Sequence, residues 1–153
     1  MARLRRYSAA VRITGPSAGA AYAVILPTST EPIVIREIGL VSVAATATSV
    51  GLIRTLTTGT ASTSTAGVAH NPNDAGASTT IKTAWSVAPT IAGSPVYIRR
   101  VALPATAGSS VLWTFPDDAP LCCESAATTA LVLWNFGGSA ASDVDLHVTW
   151  DES

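Results

Sequence analysis

"SDVDLHVTW", residues 142–150, alternates polar and apolar side chains at almost every step. Successive side chains of a β-strand point to opposite faces of the sheet. One face would carry Val144, Leu146, Val148 and Trp150. The other face would carry Asp143, Asp145, His147 and Thr149. A register slip of one residue would bury the carboxylates, so we expect a strongly specified strand with one buried face and one solvated face.

The segment just before it, "TALVLWNF" at residues 129–136, is apolar on both faces. Such a pattern is typical of a central strand that is covered on each side, or of a strand at a subunit contact. The connection "GGSAAS", residues 137–142, supplies the glycines and small polar residues of a turn.

Similar short runs, bounded by Gly, Pro, Asn or Asp, occur about nine or ten times along the chain, and helical spacing is not sustained anywhere. The clearest runs start at Tyr7, Ala20, Ile33, Ser49, Ser78, Pro95, Ser109, Thr128 and Ser142. At 153 residues the chain is long enough for one hydrophobic core. We predict a single all-β domain over residues 1–153, an antiparallel two-sheet β-sandwich of about 8–10 strands.

The stretch 57–80, "TTGTASTSTAGVAHNPNDAGASTT", has a different composition. It is rich in Thr, Ser, Ala and Gly, and its NPND is a turn signal because Pro fixes φ and Asn and Asp bond their own backbone. A loop this long in a compact domain tends to be functional or mobile. We predict a loop that projects toward a neighbour or toward solvent, with a mobile insertion as the alternative and with room for a short strand.

The net charge of −1 argues against bulk nucleic-acid binding, because phosphate binders gather an excess of Lys and Arg on one face. The charges are unevenly distributed, however. The chain opens with Arg3, Arg5, Arg6 and Arg12 and closes with Asp143, Asp145, Asp151 and Glu152. The two ends can attract each other within one subunit or between neighbours. We predict a short basic arm at about residues 1–6.

The basic start resembles that of a secretory signal, but residues 12–16 interrupt the apolar core that such a signal requires. No run approaches the roughly 20 apolar residues of a membrane-spanning helix. Cys122 and Cys123 are adjacent and cannot easily meet disulfide geometry. We expect no export signal, no membrane contact and two free thiols, one directed to the core and one outward, as in a protein made in a reducing cytoplasm.

Residues for catalysis or metal binding are few. His70 and His147 are far apart in sequence, and the two adjacent cysteines do not complete a zinc ligand set. No G-x-S-x-G motif and no glycine-rich phosphate loop is present. Asp117 and Asp118 lie between two prolines, which is typical of a polar turn rather than of a glycosidase acid pair. We predict no metal, no cofactor and no enzymatic activity.

The four tryptophans allow two interpretations. Aromatic faces on a β-sandwich can form a sugar-stacking platform, whereas alternation with polar or small residues favours core packing. The residues concerned are Trp85, Trp113, Trp134 and Trp150. The alternation favours the core.

Residues 99–152 read "RRVALPATAGSSVLWTFPDDAPLCCESAATTALVLWNFGGSAASDVDLHVTWDE". The order of VLWTFP, APL, LVLWN and VTWDE resembles the C-terminal half of small virion proteins of tailed bacteriophages. The resemblance covers roughly residues 96–152, and the first half of the chain matches only in its β-rich, Ala- and Thr-rich character. It implies a jelly-roll-like β-sandwich that assembles as a symmetric oligomer, commonly a trimer, on the outside of a particle.

Together these observations predict a structural virion protein. The leading hypothesis is a capsid decoration or cement protein that binds the major capsid protein or other virion proteins on the outside of the head. The predicted partner-binding residues are Arg3, Arg5, Arg6 and Arg12, which would reach an acidic capsid surface. The alternative is a fibre, baseplate or head-appendage module that binds host glycan through loops such as 57–80. A small hydrolase is a third class, for which the sequence offers no reactive pair.

Overall fold

The computed structural model describes residues 4–28, 32–126 and 128–153. Its regular structure consists of β-strands. In chain order they are β1 (Arg5–Ile13), β2 (Ala21–Leu26), β3 (Ile33–Ser42), β4 (Thr48–Arg54), β5 (Thr60–Ala66), β6 (Val68–Ala69), β7 (Thr80–Val87), β8 (Arg99–Leu103), β9 (Ser110–Thr114), β10 (Leu121–Cys123), β11 (Leu131–Asn135) and β12 (Val144–Glu152). They form two antiparallel sheets, so the predicted all-β, two-sheet β-sandwich is confirmed.

The chain passes repeatedly from one sheet to the other. Sheet A has the order β6-β1-β12-β3, and β9 and β10 both pair with the remaining side of β3. Sheet B has the order β5-β7-β2-β11-β4-β8. Strands β11 and β12 are neighbours in sequence but lie in opposite sheets. The glycine-rich connection between them therefore crosses one end of the sandwich.

Strand β12 follows the predicted alternation. It pairs with β1 on one side and with β3 on the other. Its buried side chains are at most 1 % exposed and comprise Val144, Leu146, Val148 and Trp150. Asp145, His147 and Thr149 lie on the other face and are half-buried. The prediction of one buried and one solvated face is confirmed.

Strand β3 contains a β-bulge. The register against β12 shifts at this point, and Arg36 has no opposite residue on β12. The apolar alternation in the sequence slips at the same place, because the buried residue after Ile35 is Ile38, three positions on instead of two. The extra residue keeps the rest of β3 aligned with the core and leaves Arg36 and Glu37 on the outer side.

Strand β11 is the centre of sheet B. It pairs with β2 and β4, and residues 130–133 are buried. The prediction of a covered central strand is confirmed. The buried side chains of both sheets form one hydrophobic cluster, to which Trp113 and Trp150 belong. Two of the four tryptophans are therefore core residues, whereas Trp85 and Trp134 are half-buried and pack against that cluster.

The prediction of one projecting loop at 57–80 is wrong for two parts of that stretch. Strand β5 extends the edge of sheet B beside β7, and β6 pairs with β1 in sheet A. The sequence of β5 has no apolar alternation, but its threonines are β-branched and favour extended backbone beside a partner strand. The segment that follows packs against the core, because Tyr7 Oη donates to the carbonyl of Ala75 at 2.9 Å and Gly67 lies against the Trp150 ring.

Glu152 holds the end of this segment to β12. Its carboxylate accepts hydrogen bonds from the backbone N–H of Ser78 and Thr79, each at 2.9 Å, and from Nε1 of Trp150 at 2.8 Å. Burial alone would raise the pKa of Glu152, but these hydrogen bonds outweigh burial and lower it. The stretch that was expected to project is tied down by a charged side chain that is only 8 % exposed.

The prediction of a basic arm at about residues 1–6 is wrong for Arg5 and Arg6. Strand β1 begins at Arg5, and Arg5 and Arg6 pair in register with Glu152 and Asp151. β12 continues far enough to give these residues a partner strand, so their backbone forms part of the sheet. Residues 1–3, including Arg3, lie outside the described residues.

Candidate functional site

The outer face of sheet A carries several of the residues that the sequence singled out, among them Arg12, Asp145 and His147. We use this name for the solvent side of β1, β12, β3 and β9. It carries Ser8, Ala10, Arg12, Asp145, His147, Thr149, Glu37, Gly39, Val41, Ser110, Leu112 and Thr114. Residues directly opposite one another in a sheet share a face, so these side chains form cross-strand rows.

Arg12 pairs with Asp145 within the chain. Its Nε lies 2.8 Å from Oδ1 and its Nη2 lies 2.9 Å from Oδ2, a bidentate arrangement. These hydrogen bonds and the positive charge of Arg12 lower the pKa of Asp145. Both side chains remain exposed, at 63 % and 48 %. A molecule that docks here would meet a complete ion pair instead of a free guanidinium.

Arg6 is also paired within the chain. It donates to Asp151 through Nε at 2.8 Å and Nη2 at 3.2 Å, and the bulge residue Arg36 donates to the same carboxylate at 2.6 Å. Asp151 is only 4 % exposed. Burial would raise the pKa of Asp151, but the hydrogen bonds and charges of the two arginines outweigh burial and lower it. Arg36 also pairs with Asp117 on the loop before β10.

The attraction expected between the two ends of the chain therefore operates within one subunit. Two of the four arginines predicted to bind a partner, Arg6 and Arg12, are engaged by carboxylates of β12. Arg5 is half-buried on the same strand. Arg5, Arg6 and Arg12 thus all lie on β1, but Arg5 points to the opposite face from Arg6 and Arg12, which are paired with carboxylates of β12.

An open hollow of about 610 Å³ lies in the middle of the outer face. One cross-strand row runs through it and consists of Ala10, His147, Gly39 and Leu112. Gly39 has no side chain and Ala10 has only a methyl group, so the surface is low at these two positions and higher at His147 and Leu112. Leu112, which is 58 % exposed, and Val41, which is 40 % exposed, form an apolar rim on one side.

The sequence analysis did not identify Val41, Leu112 or Gly39 as functional candidates. A signal was nevertheless present in "SVLWT". Val111 and Trp113 point inward, so Leu112 is an apolar residue in the outward register of β9. Exposed apolar side chains that adjoin one another indicate a contact surface more strongly than single ones do.

His147 lies in a hydrogen-bonded chain at the edge of this hollow. Its Nδ1 is 3.2 Å from Oε1 of Glu37 and its Nε2 is 3.1 Å from Oγ1 of Thr149. A hydroxyl, an imidazole and a carboxylate in this order also occur in nucleophilic active sites. Here all three belong to the central strands β12 and β3, whose backbone N–H groups are used in ladder hydrogen bonds on both sides. Regular ladder pairing leaves few backbone donors for an oxyanion hole here, with the bulge at Arg36 as the point where the pairing is irregular.

A second group of cations lies on β8, at one edge of sheet B. The guanidinium carbon of Arg100 is 3.7 Å from the centre of the Phe136 ring and 5.1 Å from that of Tyr97, and the guanidinium carbon of Arg99 is 5.3 Å from that of Phe115. Tyr97 packs directly on Gly51, where a Cβ would lie 2.3 Å from its Cε1. The ring contacts hold both arginines in place. The sequence analysis missed this group because its members come from separate segments.

The other candidates occupy ordinary positions. Cys122 is half-buried and Cys123 is buried, both free, as predicted. Burial raises the pKa of Cys123 to about 12. Asp117 and Asp118 lie in the predicted turn. Within residues 4–28, 32–126 and 128–153, no group of three or more His, Cys, Asp or Glu side chains could hold a metal ion.

No helix in the described part of the chain is long and apolar enough to cross a membrane. Comparisons of the sequence with protein-family models and with curated proteins, and of the structure with solved structures, gave no match.

Proposed function

We propose that this chain is a structural virion protein of a tailed bacteriophage, a capsid decoration or cement protein that binds the outside of the head as a symmetric oligomer. The observation that carries the proposal is the order of motifs at residues 96–152, which resembles such proteins. These residues include strands β8 to β12, which belong to both sheets. The resemblance therefore concerns strands in both sheets, although it covers only the second half of the chain.

We further propose that the sandwich is a jelly roll, whose two sheets would be built by two interleaved sets of four strands. The strand order supports this. The set β1-β12-β3-β9 lies in sheet A, where the three-residue β10 also pairs with β3, and the set β2-β11-β4-β8 lies in sheet B. Strands β5 to β7 then form an insertion between the two halves, extending sheet B by two strands and sheet A by one.

The proposed role requires binding surfaces rather than a reactive group. On a capsid, many copies would contact repeated sites. Linked weak contacts raise the effective affinity without a large interface at any one of them. Only 12 % of the chain's residues are charged, and Arg6, Arg12 and Arg36 pair with carboxylates of the same chain. This composition suits contacts formed by small apolar and polar side chains.

Particles that lack the protein provide the test. We expect virions assembled without it to lose infectivity at a lower temperature, or in chelator, than complete virions do, and to regain resistance when purified protein is added back. Full resistance without the protein would end the proposed reinforcing role.

The alternative is a fibre, baseplate or head-appendage module that binds host glycan. The half-buried Trp85 and Trp134, and the Arg100 guanidinium held on aromatic rings, favour it. Stacking on an aromatic face and hydrogen bonds from a fixed arginine are both suited to sugars with acidic groups. Glycan-array binding that disappears in Trp85→Ala or Trp134→Ala would favour this function over the first.

A further inference from the structure

The outer face of sheet A is a surface without a partner in the single chain. Two exposed apolar side chains, Val41 and Leu112, adjoin each other on β3 and β9. Beside them lies the hollow over Gly39 and Ala10. A raised apolar rim and a low floor thus lie next to each other on one sheet face.

The glycine at position 39 accounts for this relief. A Cβ there would lie 3.4 Å from Cδ1 of Leu112 and 3.7 Å from Nδ1 of His147, which are contacts that the fold can accommodate. The absence of a side chain at this position is therefore not required by packing within the subunit. It leaves room for a group that comes from outside.

The outer face carries an arginine–carboxylate ion pair formed within the chain. Arg12 is compensated by Asp145, and Glu37 lies against His147. Arg12 donates to Asp145 through Nε and Nη2, and its side chain is 63 % exposed, so the guanidinium remains accessible to a molecule that approaches. The Arg12–Asp145 ion pair thus presents a donor and an acceptor to whatever approaches, and two such pairs in opposite orientation complement each other.

We propose that the outer face of sheet A binds the same face of a second copy of this chain around a two-fold axis. In a two-fold contact the same surface of each copy faces the other. A raised rim on one copy can therefore enter the hollow that lies beside the rim on its partner. Leu112 of each copy enters the hollow of its mate, and the Arg12–Asp145 pairs face each other in opposite orientation.

The size of the face fits a reversible contact. Strand β12 has nine residues and spans about 30 Å, and four strands span about 19 Å, so the face covers roughly 500 Å² per copy. A standard stable interface buries about 800 Å² per partner. The contact therefore belongs to the class of weak interfaces. By itself it gives dimers, and if a separate surface forms a trimer, it joins two trimers. It does not depend on the proposed function in the virion.

The test is the concentration dependence of molar mass, measured by sedimentation equilibrium from about 1 µM to about 1 mM, where contacts of this class dissociate. We expect the mass to rise toward an even number of copies. Leu112→Glu should raise the dissociation constant about tenfold or more, because it places a charge in an apolar contact. Leu56→Glu is the matched control, since Leu56 is 53 % exposed but lies after β4 of sheet B, and it should leave the association unchanged.

Val41→Glu tests the same surface from the neighbouring strand and should weaken association as Leu112→Glu does. Val87→Glu, at a 60 % exposed position at the end of β7 in sheet B, is its control. Leu112 and Val41 are both exposed, so we expect their substitutions to leave the fold intact. Unchanged thermal unfolding of each variant would verify this. The proposal is overturned if the protein stays monomeric over the whole range, if its largest species has three copies, or if Leu112→Glu associates as tightly as Leu56→Glu.

Discussion

Arg6 and Asp151 lie opposite each other on β1 and β12 and are joined by two hydrogen bonds, of 2.8 and 3.2 Å. Arg36 supplies a third donor to the same carboxylate, from the bulge on β3. One nearly buried carboxylate therefore connects three adjacent strands of sheet A. The connection converts the uneven charge distribution along the sequence into a contact between the two ends of the chain.

Replacing Asp151 should destabilise the fold. Asp151→Asn removes the charge that two arginines share and leaves Arg36, which is 20 % exposed, without its buried partner. We expect a loss of about 2–4 kcal/mol in the free energy of unfolding, measured by urea denaturation. Asp145→Asn is the control, because that carboxylate lies in an exposed pair, and its effect should be close to the error of the measurement. Equal effects of the two variants would contradict this role of Asp151.

Stability should fall in acid because of Asp151 and Glu152. The hydrogen bonds to both carboxylates hold each pKa below its ordinary value of 3.8 and 4.5, so the unfolded chain takes up protons first as the pH falls. Their stabilisation is complete above about pH 5.5 and is lost as the pH drops through the ordinary values toward the folded ones. The urea midpoint should thus be level from pH 7 to pH 5.5 and decrease below. A double variant, Asp151→Asn with Glu152→Gln, should show a flatter profile, and a wild-type midpoint that does not fall in acid would exclude the explanation.

A methyl group at position 51 should displace Tyr97. The Cβ of Gly51→Ala would lie 2.3 Å from Cε1 of Tyr97, which must move away from Phe136 and Arg100. We expect a loss of about 1–3 kcal/mol in thermal or urea unfolding. Gly138→Ala, at a position with nothing within 4 Å, is the control. Tyr97→Ala added to Gly51→Ala should cost less than the sum of the single changes, since the clash is then absent, and strict additivity would count against the contact.

The Thr149–His147–Glu37 chain should not hydrolyse esters. Most backbone donors around it are used within the sheet, so a developing oxyanion would find few hydrogen-bond partners there. Hydrolysis of p-nitrophenyl acetate by the wild type and by His147→Ala should proceed at the same rate as with a matched concentration of an unrelated protein. A rate above that level that His147→Ala abolishes would identify a catalytic site and reverse the non-enzymatic interpretation.

Much of the framework could be read from alternation alone. All nine runs identified in the sequence contain a strand, because each has a side that is apolar enough to require burial. Strand β12 is the clearest case, since only one register buries Trp150 and exposes Asp145. The sequence analysis did not predict the bulge, because a slip such as that from Ile35 to Ile38 can arise in several ways.

The remaining strands carry no such pattern. Strand β5 is built from Thr, Ser and Ala, with no apolar side to bury, so its pairing with β7 depends on tertiary context. Strand β10 has only three residues. The arginines were recognised as a group, but the sequence could not tell whether their carboxylate partners lie in the same subunit or in a neighbour. The hollow over Gly39 depends on the register of four strands at once and has no local signature.

The proposed place of this chain on the outside of a phage head can be tested most directly by cryo-electron microscopy of intact particles. The account predicts density for a two-sheet sandwich on the outer surface of the head, at repeated positions, into which β1 to β12 fit without rearrangement. Density for the chain in the tail or a fibre, or particles that purify without it, would contradict the account.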